Sequence, residues 1–169
     1  VSLVWLPDEA MVYQRQYASD HAMEDTCLEC DLYLDYGQGF NEDNKMISHL
    51  QLEQCRGTVQ FELNRFADRL SGIRFDPGHD AIALCHISAW GCSSAGDWKE
   101  LDFESSAAVT QYNGTLLFGA DPWVQFTLPR GGIDVIKIEL KMKARGRELI
   151  ELLIEIAQKV ATLESARLK

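Results

Sequence analysis

Long hydrophobic runs are missing from this chain. No stretch approaches the roughly 18 consecutive apolar residues that a membrane-crossing helix requires, so a helical membrane span is not expected. Basic residues are scarce as well: 16 Lys plus Arg stand against 26 Asp plus Glu, a formal charge of −10. A surface of that sign repels phosphate backbones, which argues against nucleic acid as the main partner. The first residues contain neither a basic n-region nor a longer apolar stretch, so no signal peptide is expected. The chain opens Val1-Ser2-Leu3-Val4-Trp5 without a Met, as a processed product or a piece of a larger protein would. A closed disulfide set is also missing, because the cysteines number five: Cys27, Cys30, Cys55, Cys85 and Cys92. Reduced thiols packed as small hydrophobes are the expectation, and with them a cytoplasmic location. What is present is ordinary globular material. At 169 residues, 46% hydrophobic and 25% charged, the chain can bury the core of one domain and is too apolar for disorder.

Strand patterns dominate residues 1–143. In Thr26 to Tyr36, the side chains of Leu28, Cys30, Leu32 and Leu34 fall on one face at period two, and Cys27, Glu29, Asp31, Tyr33 and Asp35 fall on the other. Gly37-Gln38-Gly39 ends that strand. Further strands are predicted at Ser2–Leu6, Met46–Glu53, Thr58–Leu63, Gly72–Phe75, Ala81–Trp90, Leu116–Phe118, Trp123–Leu128 and Asp134–Met142. Turn chemistry separates them at Arg56-Gly57, Asp76-Pro77-Gly78, Asn113-Gly114, Asp121-Pro122 and Pro129 to Gly132. Many short strands with such punctuation predict an antiparallel β-sandwich of jelly-roll type, similar in architecture to carbohydrate-binding modules.

The chain also echoes itself. Val59-Gln60-Phe61-Glu62-Leu63 is matched by Val124-Gln125-Phe126-Thr127-Leu128, and each is followed by a second short strand, Ile73-Arg74-Phe75 and Ile136-Lys137-Ile138 respectively. Either these are two related arches of one sandwich or two strands have converged on the same core pattern.

Residues 144–169 change character. Leu149, Leu153, Ile156, Val160 and Leu163 recur at spacings of four, three, four and three, a heptad seam. Ile150, Leu152 and Ile154 widen its apolar face, and Glu155 with Lys159 forms a favourable i,i+4 pair. A helix of about six turns follows from 3.6 residues per turn. It either docks on the sandwich or pairs chains as a coiled coil that makes a homo-oligomer, for a helix this short needs a partner.

Catalytic signatures are weak. Cys27-Leu28-Glu29-Cys30 has C-x-x-C spacing, but on a strand residues three apart point to opposite faces, so neither a metal site nor a redox pair is expected. Gly37-Gln38-Gly39 lacks the third glycine of a dinucleotide loop and is followed by Glu42 and Asp43, which oppose a phosphate. Gly91-Cys92-Ser93-Ser94-Ala95-Gly96 resembles a nucleophile elbow without its final glycine spacing. Cys85 and His86 are strand neighbours that point apart, and His21, His49 and His79 are isolated. No catalytic residue, metal ligand or cofactor is assigned.

The tryptophans carry more. Trp98 follows Asp97 in a polar loop, Trp90 ends a strand just before it, and Trp123 opens a strand after Asp121-Pro122. An exposed Trp beside carboxylates stacks on the C–H face of a sugar ring while the acids accept hydroxyl hydrogen bonds. Trp98, Asp97, Trp90 and Trp123 are therefore the candidate carbohydrate-binding residues, the alternative being that the tryptophans, Trp5 included, cap the core.

The segment from Val59 through Ile87, with Ile73-Arg74-Phe75-Asp76-Pro77 at its centre, resembles a β-sandwich accessory domain attached to bacterial glycosyltransferases and methyltransferases of surface-polysaccharide synthesis. Phe118-Gly119-Ala120-Asp121-Pro122-Trp123-Val124 is similar to a second motif of those domains, and a helical tail after the sandwich is similar to their arrangement. The resemblance implies a non-catalytic role, with a glycan or a glycosyltransferase or methyltransferase domain as partner, and supplies no catalytic residues. Arg74 and Asp76 share a strand face and are expected to stabilise a sheet edge and the turn at Pro77. The favoured function is a carbohydrate-binding or scaffolding module. The rivals are a spacer that binds only protein, which a buried Trp98 would favour, and a small hydrolase, which a histidine beside a nucleophile in a cleft would favour.

Overall fold

The computed structural model describes residues 26–63, 69–93, 96–107, 109–110, 114–151, 153–154 and 157–158. The strand predicted at Ser2–Leu6, Trp5 and His21 lie outside the described residues, as do Leu152, Glu155, Ile156, Lys159, Val160 and Leu163 of the predicted helix. Among the described residues eleven strands run in chain order: β1 (Thr26–Asp35), β2 (Lys45–Leu52), β3 (Arg56–Glu62), β4 (Gly72–Asp76), β5 (Ile82–Cys92), β6 (Trp98–Glu100), β7 (Phe103–Ser105), β8 (Val109–Thr110), β9 (Leu116–Phe118), β10 (Val124–Phe126) and β11 (Val135–Arg145). They form two antiparallel sheets. The first has the order β2-β1-β4-β10-β7 and the second β3-β11-β5-β9-β8, with β6 also paired to β5.

Period-two alternation supplies the inner faces. Leu28, Cys30, Leu32 and Leu34 of β1 join Ile73 and Phe75 of β4 and Val124 and Phe126 of β10 from one side. Val59 and Phe61 of β3, Ile136, Ile138, Leu140 and Met142 of β11 and Ile82, Leu84, Ile87 and Ala89 of β5 meet them from the other, in one continuous core. The chain is a β-sandwich. From β3 onward it passes back and forth between the sheets, β10 returning between β4 and β7 and β11 returning between β3 and β5. That interleaving is the strand order of a jelly roll.

The internal echo is resolved by this threading. Val59 and Phe61 pair with Ile138 and Ile136, whereas Val124 and Phe126 pair with Phe75 and Ile73. Each copy of the first strand therefore pairs with the second strand of the other copy, one pair per sheet, and the two arches interlock.

Three expectations change. The turn predicted at Arg56-Gly57 sits earlier, at Gln54-Cys55, where φ is 49° and 66° and Glu53 and Arg56 exchange backbone hydrogen bonds of 2.8 and 2.9 Å. Gly57 instead lies within β3, where a Cβ would stand 2.6 Å from Leu50 Cδ1; the glycine permits the close approach of β2 and β3 at the corner between sheets. Second, β4 is not an edge strand, as the reading of Arg74 and Asp76 required, but lies between β1 and β10. Third, β11 continues to Arg145 and helical backbone begins at residue 146, two residues beyond the predicted boundary. The helix docks through its first turn: Leu149 is buried against Ala83 and Ala144, with Leu117 beside them, over the outer side of the second sheet.

Candidate functional site

The site is built on the outer face of the second sheet. Because β11 alternates, Ile136, Ile138 and Leu140 enter the core and Lys137, Glu139 and Lys141 are left on the outside. Register places Gln60 of β3, Lys137 of β11, Trp90 of β5 and Glu100 of β6 in one row across four strands. Trp98 is paired with Cys92 in the next row. Gly91, between them in β5, faces inward, where a Cβ would lie 2.7 Å from Ile133 Cγ2. This residue of the elbow-like motif is thus a packing glycine that seats β5 over Ile133 and Leu101.

Lys137 bridges the two indoles. Its Nζ lies 4.7 Å from the ring centroid of Trp90 and 6.0 Å from that of Trp98, and 3.2 Å from Glu139 Oε1. Cation–π contacts at such sites contribute about 0.5–1 kcal/mol each. Trp90 is half-buried under the lysine, whereas Trp98 is 48% exposed, which leaves indole surface open to solvent. Asp97 precedes it and is exposed. Among the candidate residues, then, Trp90 and Trp98 are brought together with Asp97 adjacent in the chain. Trp123 is not with them: it sits beside β10 in the first sheet, half-buried, with its N–H donating to Ser106 Oγ at 2.9 Å and its carbonyl accepting from Ser106 N at 3.0 Å. Lys137 is the member that sequence reasoning missed. Its signal was the echo, where it occupies the place of Arg74.

The first sheet holds the matching arrangement in closed form. Arg74, opposite Gln125 and Tyr33 in register, stacks with its guanidinium 4.5 Å from the Tyr33 centroid and 5.8 Å from that of Phe40. It donates from Nε and Nη2 to the two oxygens of Asp76, at 2.9 and 2.7 Å. Asp76 is buried, and desolvation pushes its carboxyl above the usual range although Arg74 opposes the shift. Beside it in register lies Asp31, 1% exposed, with Oδ2 3.2 Å from Lys45 Nζ and with Oδ1 lacking a hydrogen-bond partner among the described residues. Tyr33 donates to Glu42 at 2.8 Å, and Glu42 in turn pairs with Lys45 at 2.8 Å. Hydrogen bonds to Glu42 and Asp31 raise the Lys45 ammonium above its ordinary range. Apart from Asp31 Oδ1, this network pairs its own side chains.

The other motifs are accounted for locally. Asp35 Oδ1 accepts from the N–H groups of Gly37, Gln38 and Gly39 at 2.8, 2.9 and 2.7 Å, so the donors that a phosphate would need hold a carboxylate already. Cys27 is exposed while Cys30 is buried on the opposite face, and burial pushes the Cys30 thiol up to about 12. All five cysteines are free thiols. Among the described residues no group of three or more His, Cys, Asp or Glu side chains could hold a metal ion. His86 Nε2 lies 3.0 Å from Ser88 Oγ, but both stand on one sheet face, and the strand around Ser88 is laddered to β11.

Comparison with known proteins finds no match: no family model, no curated protein and no solved structure is similar to this chain at a significant level.

Proposed function

We propose that this domain is a non-catalytic carbohydrate-binding module that works beside or within a larger protein of bacterial surface-polysaccharide synthesis. The observation that carries the reading is the 48% exposure of Trp98 next to a second indole with a lysine over both rings. Trp98 covers the C–H face of a sugar ring, while Asp97 and Glu100 accept, and Lys137 donates, hydrogen bonds with its hydroxyls. The jelly-roll order of the strands is compatible with such a platform, and the motifs around Ile73–Pro77 and Asp121–Trp123 associate it with polysaccharide-assembly enzymes by resemblance. Five free thiols support a reducing, cytoplasmic location.

The experiment is a tryptophan-fluorescence titration of the protein with a panel of bacterial surface polysaccharides and their oligosaccharides. The expected result is a saturable shift that Trp98→Ala abolishes and Trp123→Phe leaves in place. A flat response across the panel would favour a scaffold whose ligand is another protein. For that scaffold the helix is the candidate element. Leu149 is occupied by the sandwich, but Ile150, Leu153 and Ile154 are 52%, 42% and 51% exposed. We assign these residues, with Ile156, Val160 and Leu163 further along, to pairing of two copies of the chain.

A further inference from the structure

The platform extends beyond its tryptophans. Along β11 from Lys137, the register brings Arg56, Lys141 and His86 side by side across β3, β11 and β5. The docked Leu149 closes the face at that end. Arg56 is exposed and Lys141 half-buried, and among the described residues neither forms an ion pair. The intervening row offers Thr58, Glu139 and Ser88, but Glu139 is held by Lys137 at 3.2 Å. Like charges directly opposite one another on a sheet are destabilising. Folding alone therefore does not explain neighbouring unpaired cations in a chain whose charge is −10. Lys137 and Lys141 are four residues apart on one strand face, about 13 Å at 3.3 Å per residue, the reach of an oligosaccharide rather than of one ring.

We infer that the ligand of this face is an anionic glycan, a sugar polymer bearing carboxylates or phosphodiesters. One sugar stacks on Trp98, and acidic groups further along the polymer pair with Lys141 and Arg56. This rests on the carbohydrate reading above and narrows it to a charge class.

The test is calorimetric titration of the full chain with hexagalacturonate, its methyl ester and a poly(ribitol phosphate) fragment, with Trp98 fluorescence followed in parallel. Hexagalacturonate or the phosphate polymer is expected to bind about tenfold more tightly than the neutral ester. Whichever of the two binds better identifies carboxylate or phosphodiester as the anion. The advantage should shrink at about 0.15 M salt, where the screening length is about 8 Å. Arg56→Gln with Lys141→Gln should bring acid and ester to equal affinity while the Trp98 shift persists. Its thermal midpoint should be unchanged or higher, because a repulsion has been removed; if that variant fails to fold, Lys141→Glu alone should make the ester the better ligand. Equal binding of acid and ester to the wild-type protein, with Trp98 still responding, would overturn the anionic inference and leave the carbohydrate reading intact. No binding of any charged or neutral glycan would overturn both.

Discussion

Lys137 and Arg74 occupy equivalent places in the two arches, each two residues before an acid it pairs with and each stacked on an aromatic ring of the neighbouring strand. Their surroundings separate them. Arg74 lies between Tyr33 and Phe40 and is held by both oxygens of buried Asp76, whereas Lys137 leaves Trp98 facing water. At this scale sequence carries part of the site. The doublet Asp97-Trp98 is visible as an aromatic in polar company, but nothing local distinguishes Trp98 from Trp123. The difference is tertiary: Ser106 meets the backbone of Trp123, and among the described residues the ring and lysine contacts gather at Trp90 and Trp98 instead. The cysteines are more legible, because strand alternation alone puts Cys27 and Cys30 on opposite faces. Alkylation with iodoacetamide near pH 8 should modify Cys27 readily and Cys30 more slowly by at least about a hundredfold, since burial suppresses its thiolate. Peptide mapping reads this directly, and equal labelling of the two in the folded protein would contradict the burial of Cys30.

Among the elements, the long strands β1, β2, β3, β5 and β11 were recognisable because each runs through several periods of alternation. β6, β7 and β8 were not: β6 and β7 are almost wholly exposed and β8 has two residues, so none shows an inward apolar pattern, whereas the equally short β9 and β10 bury both end residues. The turn after β2 was placed late because glycine is the usual residue for positive φ, and here Gln54 and Cys55 adopt it instead. Both central residues of a two-residue hairpin turn of this kind favour Asn-Gly. Gln54→Asn with Cys55→Gly should stabilise the domain by about 1 kcal/mol by relieving left-handed strain at side-chain-bearing residues. The measurement is a higher urea midpoint at unchanged slope. A lower midpoint would show that the Cys55 side chain contributes more than its backbone conformation costs.

At the scale of the whole molecule, the outer face of one sheet carries the Arg74–Asp76 and Lys45 network and the other carries the open indole of Trp98, and the helix lies at the border of the latter. Leu149 docks on the domain while Ile150, Leu153 and Ile154 are exposed, so the described part of the helix has apolar surface to spare. If the proposed pairing holds, the unaltered protein should sediment as an oligomer and the change of Ile156 and Val160 together to Asp should give monomers in sedimentation velocity, because two charges in a short apolar seam cannot be accommodated. An unchanged sedimentation coefficient would discard pairing through this helix. The glycan response of Trp98 should survive the double substitution, since neither substituted residue is a member of the platform.

Sequence by itself determined the class of fold, the absence of a long apolar helix among the described residues, and the inward set of side chains on each long strand. These follow from local rules: side chains alternate at period two, glycine and proline mark turns, and burial requires apolar residues on one face. Tertiary structure alone decided which strands became neighbours. Val59–Phe61 does not pair with the strand that follows it but with the second half of its own echo, and that exchange carries Lys137 to Trp90 and Arg74 to Tyr33. Pairing between strands distant in sequence is set by burying both sheets in one core. The site is written in the register of that pairing, which no stretch of the chain contains.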